Sequence, residues 1–152
     1  MKTISVFVSA PIAGFDNDIE YAEFREKLLC LVQKIRDCEV VTELYSALSS
    51  VSSQSEYDSP QKAAIQDLGA LNKATHFILF YPKRVPSSAL IELGFALAQN
   101  KKILIIVNRI SDLPYMAQGF CASPFSIPIL QKTIDEISLS DLQQFFCSNN
   151  CG

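Results

Sequence analysis

Two runs of this chain are apolar at every position: Phe77-Ile78-Leu79-Phe80-Tyr81 and Ile103-Leu104-Ile105-Ile106-Val107. A strand with one face in water alternates apolar with polar side chains. A short strand without that alternation is covered on both faces, as in a parallel sheet with a helix layer on each side. Thr3 to Ser9, rich in β-branched and aromatic residues, reads as a third buried strand, and it stops at Ala10-Pro11. Glu39 to Thr42 reads as a shorter strand, and Phe125 to Ile127 as a short fifth one.

Helical spacing separates these runs. Ile19, Ala22, Leu28, Leu29, Leu31, Val32 and Ile35 recur along Asp18–Asp37 with charges between them, the pattern of an amphipathic helix. Pro60 suits a helix start, and Ala64, Ile65, Leu68 and Leu71 then share one face up to Lys73. A third helix follows Ser87 and Ser88, either of which can cap it. Leu130 to Cys147 holds one or two further helices, and Asn108–Gln118 a loop with a short one. Alternating strand and helix with right-handed crossovers leaves few topologies. The fold class is therefore α/β: a flavodoxin-like or Rossmann-like three-layer sandwich with a parallel sheet of four to five strands in the order 2-1-3-4-5. One domain is expected over residues 1–147, with a frayed tail at 148–152. Ser46–Ser59, with seven serines and no sustained apolar pattern, reads as a mobile loop, either a lid or an insertion without a role.

Composition excludes several functions. A net charge of -3 gives no basic face for a nucleic-acid polymer. No apolar run reaches the ~20 residues of a membrane span. The start shows no signal-peptide pattern, so the expected compartment is the cytoplasm. Five cysteines, an odd number without a Cys-x-x-Cys, fit free thiols. Cys147 and Cys151 alone do not make a metal site, and neither metal nor cofactor is called for. The few charged residues, 19% of the chain, hint at an oligomer that hides part of its surface.

In open parallel sheets ligands bind beyond the carboxyl ends of the strands, at the switch point. In this chain that rim comprises Ser9, Ala10, Pro11, Ile12 and Gly14 after strand 1, Ser87 and Ser88 before the third helix, and Asn108 after strand 4. Lys83 and Arg84 could hold a phosphate there. Glu92 is the only ionisable residue between Ala89 and Asn100. It sits one turn inside an otherwise apolar helix, where the helix dipole favours its anion. There is no Gly-x-Gly-x-x-Gly and no P-loop. His76, the only histidine, starts strand 3 at the end away from the rim, which disfavours His-dependent nucleophilic chemistry. What remains is carboxylates and hydroxyls. An ionised glutamate can attack a sugar carbon that is becoming an oxocarbenium ion, and a second carboxyl can move the proton. Asp67 reads either as that second group or as a solvated residue at its helix edge.

The string Ser88-Ala89-Leu90-Ile91-Glu92-Leu93-Gly94-Phe95-Ala96 followed by Lys101-Lys102-Ile103-Leu104 resembles the Glu-Leu-Gly helix and following strand of the nucleoside 2-deoxyribosyltransferase superfamily, which includes the nucleoside 5′-monophosphate N-glycosidases. Asp67-Leu68-Gly69-Ala70-Leu71-Asn72-Lys73-Ala74-Thr75 and Phe7-Val8-Ser9-Ala10-Pro11-Ile12 resemble two further blocks of that family, in the same order. The resemblance implies Glu92 as nucleophile, Asp67 as the carboxylate that handles the base and its proton, and Ser87 or Ser88 near a 5′-phosphate. It implies a nucleoside or nucleotide as partner, cleavage or transfer at the N-glycosidic bond, and a homodimer or larger homo-oligomer. Three positions depart from it: Phe7 replaces a tyrosine that steadies the glutamate, Pro86 an aspartate of the transferases, and Ala13 an arginine of the monophosphate enzymes. Two other readings stand beside this one. One is a TIR-like NAD-cleaving domain, and the other is a nucleotide-binding sensor without catalysis.

Overall fold

The computed structural model describes residues 3–51 and 59–148. Its strands are β1 (Ile4–Ser9), β2 (Val41–Ser46), β3 (His76–Tyr81), β4 (Lys102–Val107) and β5 (Ile129–Gln131). They form one parallel sheet in the order β2-β1-β3-β4-β5, as the apolar runs imply. The helices are α1 (Asp18–Arg36), α2 (Pro60–Lys73), α3 (Ala89–Ala98), the single turn α4 (Tyr115–Gln118) and α5 (Leu139–Cys147).

Alternate residues of each strand sort onto opposite faces. Val6, Val8, Ile78, Phe80, Leu104 and Ile106 pack with Tyr21, Leu28, Leu31 and Ile35 of α1 and with Leu142, Phe145 and Phe146 of α5. Phe7, Phe77, Leu79, Tyr81, Ile103, Ile105 and Val107 pack with Leu71 of α2 and with Ala89, Leu93 and Ala96 of α3. Both faces are therefore covered, which is why β3 and β4 lack a polar residue in their interiors.

Three boundaries differ from the sequence expectation. The second strand runs to Ser46 rather than ending at Thr42, and a 3₁₀ turn Ala47–Ser50 follows it. The first five residues of the expected Ser46–Ser59 loop are thus regular, and residues 52–58 lie outside the described residues, as do 149–152 of the expected tail. The fifth strand begins two residues after Ile127, which is itself buried on the α3 side of the sheet. The helix faces are also less buried than their periodicity suggests. Of α2 only Leu71 is buried, while Ile65 of α2 and Ile91 of α3 are each 66% exposed.

The rim loops are held by specific contacts. The Tyr81 hydroxyl donates to the Val85 carbonyl at 2.5 Å and accepts from the Val85 N–H at 3.0 Å. That clamp fixes the loop between β3 and α3. Val85 in turn lies under Gly14, whose φ is +90° and whose missing Cβ would stand 3.0 Å from Val85 Cβ. A left-handed glycine against a buried branched side chain sets the course of the loop after β1. At the far end of α3, Asn100 takes a left-handed φ of 54°. Asn100 N–H donates to Leu97 and Lys101 N–H to Ala96, closing the helix in a Schellman turn.

Gly14→Ala is expected to cost about 1–2 kcal/mol. In a Val85→Ala background the 3.2 Å contact with Cγ1 is removed while the contact with Cβ and the backbone strain remain, so the cost should fall without vanishing. Urea denaturation of the two pairs checks this; equal costs in both backgrounds would mean that Val85 does not press on the loop.

Candidate functional site

Beyond the carboxyl ends of β1 and β3 lies a cleft of about 420 Å³, within the size range of small-molecule sites. Its walls include Phe7, Ser9, Ala10, Ile12 and Ala13 of β1 and the loop after it, Ala47 and Leu48 of the 3₁₀ turn, Ala63 and Asp67 of α2, and Pro86, Ser87, Ser88 and Glu92 around the start of α3. The topology explains the meeting. β1 lies beside β3, and α3 follows β3, so the last residue of β1 faces the first turn of α3.

Glu92 is 9% exposed. The Ser9 hydroxyl, 2% exposed, donates a short hydrogen bond to Glu92 Oε2. Burial pushes the Glu92 carboxyl from 4.5 up to about 7; the Ser9 hydroxyl opposes that rise, and the negative charge of Asp67 adds to it. The carboxyl is therefore poised to exchange its proton near neutrality.

Asp67 is partly exposed and sits on the same cleft. It accepts a hydrogen bond from the Tyr45 hydroxyl at 2.7 Å. The Tyr45 ring stacks on Phe7, 5.3 Å between centroids, and Phe7 stacks on Phe77 at 5.9 Å. These rings come from three adjacent strands on one face of the sheet, in register at Phe7–Tyr45 and Phe7–Phe77. Each carboxylate thus has a hydroxyl partner from a neighbouring strand: Ser9 from β1 and Tyr45 from β2.

The structure brings Glu92, Asp67, Ser9, Ala10, Ile12, Ser87 and Ser88 onto one cleft, and leaves three expected residues elsewhere. Pro11 is buried beneath the loop. Gly14 acts through its backbone against Val85. Asn108 donates from Nδ2 to the Pro82 carbonyl at 2.8 Å and lines a groove on the α1 side. The reason is strand alternation: Val107, the last residue of β4, faces α3, so the next residue turns to the opposite face. The cap is also shared differently. Ser87 Oγ accepts from the Ala89 N–H at 3.1 Å, while Ser88 makes no side-chain cap bond. Lys83 pairs with Glu20 at 2.7 Å, and Arg84 donates to the carbonyls of Ser111 and Leu113, so both basic side chains of the rim are turned away from the cleft.

Tyr45 is the functional-site residue that sequence reasoning missed. The signal was the β-formers Val40, Val41, Thr42 and Tyr45, which carry the strand past Thr42. His76 is buried at the start of β3, its Nδ1 2.8 Å from Thr75 Oγ1 and its ring edge-on to Phe145 and Phe146, at the end of the sheet opposite the cleft. Among the described residues no cluster of three His, Cys, Asp or Glu side chains could hold a metal, and no helix is long and apolar enough to cross a membrane.

No protein-family model matches the chain, and no curated protein matches it by sequence. Its structure is similar to the solved structure of the Clostridium botulinum CMP N-glycosidase BcmB, with a TM-score of 0.64 and 22% identity over 93% of this chain and 98% of that one. The fold is shared along nearly the whole of both chains. A CMP N-glycosidase is also of the class that the Glu-Leu-Gly helix resembles.

Glu92→Gln tests the burial of the carboxyl. A carboxyl that holds its proton more tightly folded than unfolded stabilises the fold below about pH 4.5 and loses that contribution as pH rises through about 7. The stability of Glu92→Gln relative to the unsubstituted protein should therefore increase by about 2–3 kcal/mol from pH 5 to pH 8. Urea denaturation at both pH values reads the difference, and a constant difference would mean that Glu92 titrates as an exposed carboxyl.

Proposed function

We propose that the protein cleaves the N-glycosidic bond of a nucleoside or nucleotide, with Glu92 as nucleophile. The observation that carries this reading is the buried Glu92 carboxyl, held by the Ser9 hydroxyl on a mostly apolar cleft that also contains Asp67. The likeness to a CMP N-glycosidase over 93% of the chain supports it at the level of the fold.

In the first step the ionised Glu92 attacks the anomeric carbon as the bond to the base breaks. The base leaves with the bonding electron pair and takes up a proton that solvent delivers through Asp67, which is again a carboxylate when the step ends. The sugar is then an ester of Glu92. In the second step Asp67 takes a proton from a water molecule, whose oxygen attacks the same carbon and releases the sugar and Glu92. A second nucleobase in place of water would make the same cycle a transfer. Ser9 acts as a positioning residue: it fixes the carboxylate and favours its charged form. Tyr45 positions Asp67 through the hydrogen bond from its hydroxyl. The Phe7 ring, where the family resemblance has a tyrosine, packs between Tyr45 and Phe77, and Ser9 supplies the hydroxyl two residues further along the same face of β1.

Release of free base from nucleosides and nucleotides, read by chromatography, tests the assignment. Glu92→Gln should lower it about 10³-fold or more with the fold intact, and Tyr45→Phe about 10-fold, the loss of one hydrogen bond to a carboxylate. Activity should rise with pH through about 7 as Glu92 ionises. Ser9→Ala should move that rise to higher pH, a displacement that a purely structural serine would not cause. Base release at the original rate in Glu92→Gln removes the mechanism.

The protein acts as a homodimer or larger homo-oligomer in this reading, in the cytoplasm. The exposed Ile91 lines an apolar groove with Ala63, Ala64 and Leu68, the exposed Ile65 of α2 lines a second groove, and a second copy would cover them. Ile65→Glu with Ile91→Glu should yield a folded monomer by sedimentation. An unchanged assembly would place the interface elsewhere.

A further inference from the structure

We propose that Arg25, a residue of α1 outside the cleft, sets the size of the base pocket by pinning the turn that walls it. Arg25 is in this sense a positioning residue. The proposal rests on the N-glycosidase reading and adds the control of base size to it.

The wall is the 3₁₀ turn Ala47–Ser50, which follows β2. Its Ala47 and Leu48 line the cleft together with Ala63 and Asp67 of α2. The turn begins two residues after Tyr45, whose hydroxyl holds Asp67 at 2.7 Å. Asp67 handles the proton of the leaving base in the N-glycosidase reading. The base therefore lies on this side of the cleft, against Ala47 and Leu48, and the sugar on the side of Glu92 and the start of α3.

A 3₁₀ turn is a weak element, because its hydrogen bonds are poorly aligned and its side chains eclipse. This one does little to hold itself. Ser46 at its start makes no side-chain cap bond, and the buried hydroxyls of Ser46 and Ser49 have no partner among the described residues. Val51 N–H reaches the Leu48 carbonyl at 3.3 Å. The firmer bonds come from α1. Arg25 donates from Nε to the Leu48 carbonyl at 3.3 Å and from Nη2 to the Ser49 carbonyl at 2.9 Å. One helical turn earlier on the same face, the Tyr21 hydroxyl donates to the Val51 carbonyl at 2.7 Å. The Leu48 side chain packs in the same core as Tyr21, Phe24 and Leu28. Three carbonyls of the wall are thus tied to one helix. A guanidinium fork serves two of them at once, and a lysine ammonium cannot reproduce that geometry. Arg25 does not itself line the cleft, so it acts on a substrate only through the backbone of the wall.

An apolar pocket discriminates by size, and a methylene more or less changes the preference about 10–200-fold. Loosening the wall favours the bicyclic purine, and filling the wall from inside excludes the purine first.

The test compares a purine and a pyrimidine on the same sugar, offered as nucleosides and as 5′-monophosphates, with free base read by chromatography. The quantity read is the ratio of kcat/KM for the purine to that for the pyrimidine. A fraction of unfolded enzyme lowers both rates equally and cancels, so a merely structural role does not move this ratio. Arg25→Ala should shift it about 10-fold toward the purine. Arg25→Lys, which keeps the charge and can hold one carbonyl, should shift it less. Tyr21→Phe, which keeps the buried ring and loses only the hydroxyl, should shift it in the same direction. Ala47→Leu should shift it about 10-fold toward the pyrimidine. An unchanged ratio in Arg25→Ala overturns the proposal while the base release itself upholds the N-glycosidase. An unchanged ratio in Ala47→Leu overturns it as well, because the base then does not meet this wall. If no protein of the series releases base, the N-glycosidase reading falls, and thermal shift with the same compounds decides the present point. A purine-to-pyrimidine affinity ratio moved in opposite directions by Arg25→Ala and Ala47→Leu upholds it; a ratio moved by neither, or no binding, overturns it.

Discussion

The hydrogen bond from Ser9 to Glu92 joins the last residue of β1 to the first turn of α3, 83 positions away in sequence. A carboxyl group buried in apolar surroundings carries a large desolvation cost, and it persists only where a partner offsets part of it. Everything that brings Ser9 there is a property of the sheet. β1 must pair with β3, and the crossover through α2 must be right-handed. α3 must then leave β3 over the same face. The Tyr81 clamp on Val85 and the left-handed Gly14 above it hold the two loops in between. The fold and the site therefore share one constraint, and loosening the rim loops would expose the carboxyl before it unfolded the sheet.

The second carboxylate is held by the same logic on the neighbouring strand. Tyr45 reaches Asp67 because its ring is braced against Phe7, and Phe7 against Phe77. This stack accounts for the phenylalanine at position 7. A hydroxyl there is not required once Ser9, on the same face of β1 and nearer the rim, supplies one to Glu92. Ser9 thus gives Glu92 its hydroxyl partner one strand repeat beyond Phe7.

The apolar runs made the architecture legible because burial on both faces leaves no polar residue to blur the pattern. β3 and β4 are found within one residue of their expected bounds, and the strand order follows from the crossover rules. β2 was harder to read because it is an edge strand, with Thr42 and Glu43 exposed in its middle, so its composition resembles a loop. Tyr45 was lost with it. Asn108 was placed by counting residues beyond a strand end, and a single position decides which face a side chain takes. Glu92 stood out for the opposite reason: one charge in an apolar helix has few explanations. That Ser87 spends its hydroxyl on α3 while Ser88 does not could not be read from spacing, since a cap and a ligand site have the same sequence signature.

The two ends of the sheet carry opposite burdens. At the amino ends of the strands, His76 and Lys102 face each other in register under α5, and burial together with the Lys102 charge pulls the His76 imidazole down to about 4. Its Nε2 and the Lys102 Nζ have no hydrogen-bond partner among the described residues. A histidine held neutral in the fold contributes stability above about pH 6.5 and loses it as pH falls through about 4. Glu92, at the other end, does the reverse between about 4.5 and 7. In the overlap the two slopes oppose each other, so the interior is nearest to uncharged in mildly acidic solution. Ionising Glu92 above that range costs on the order of 3 kcal/mol, and the rest of the sheet has to carry this cost. A buried carboxyl that ionises near neutrality is thus also a local source of instability, and the core on both faces, centred on β3 and β4, is what makes it tolerable.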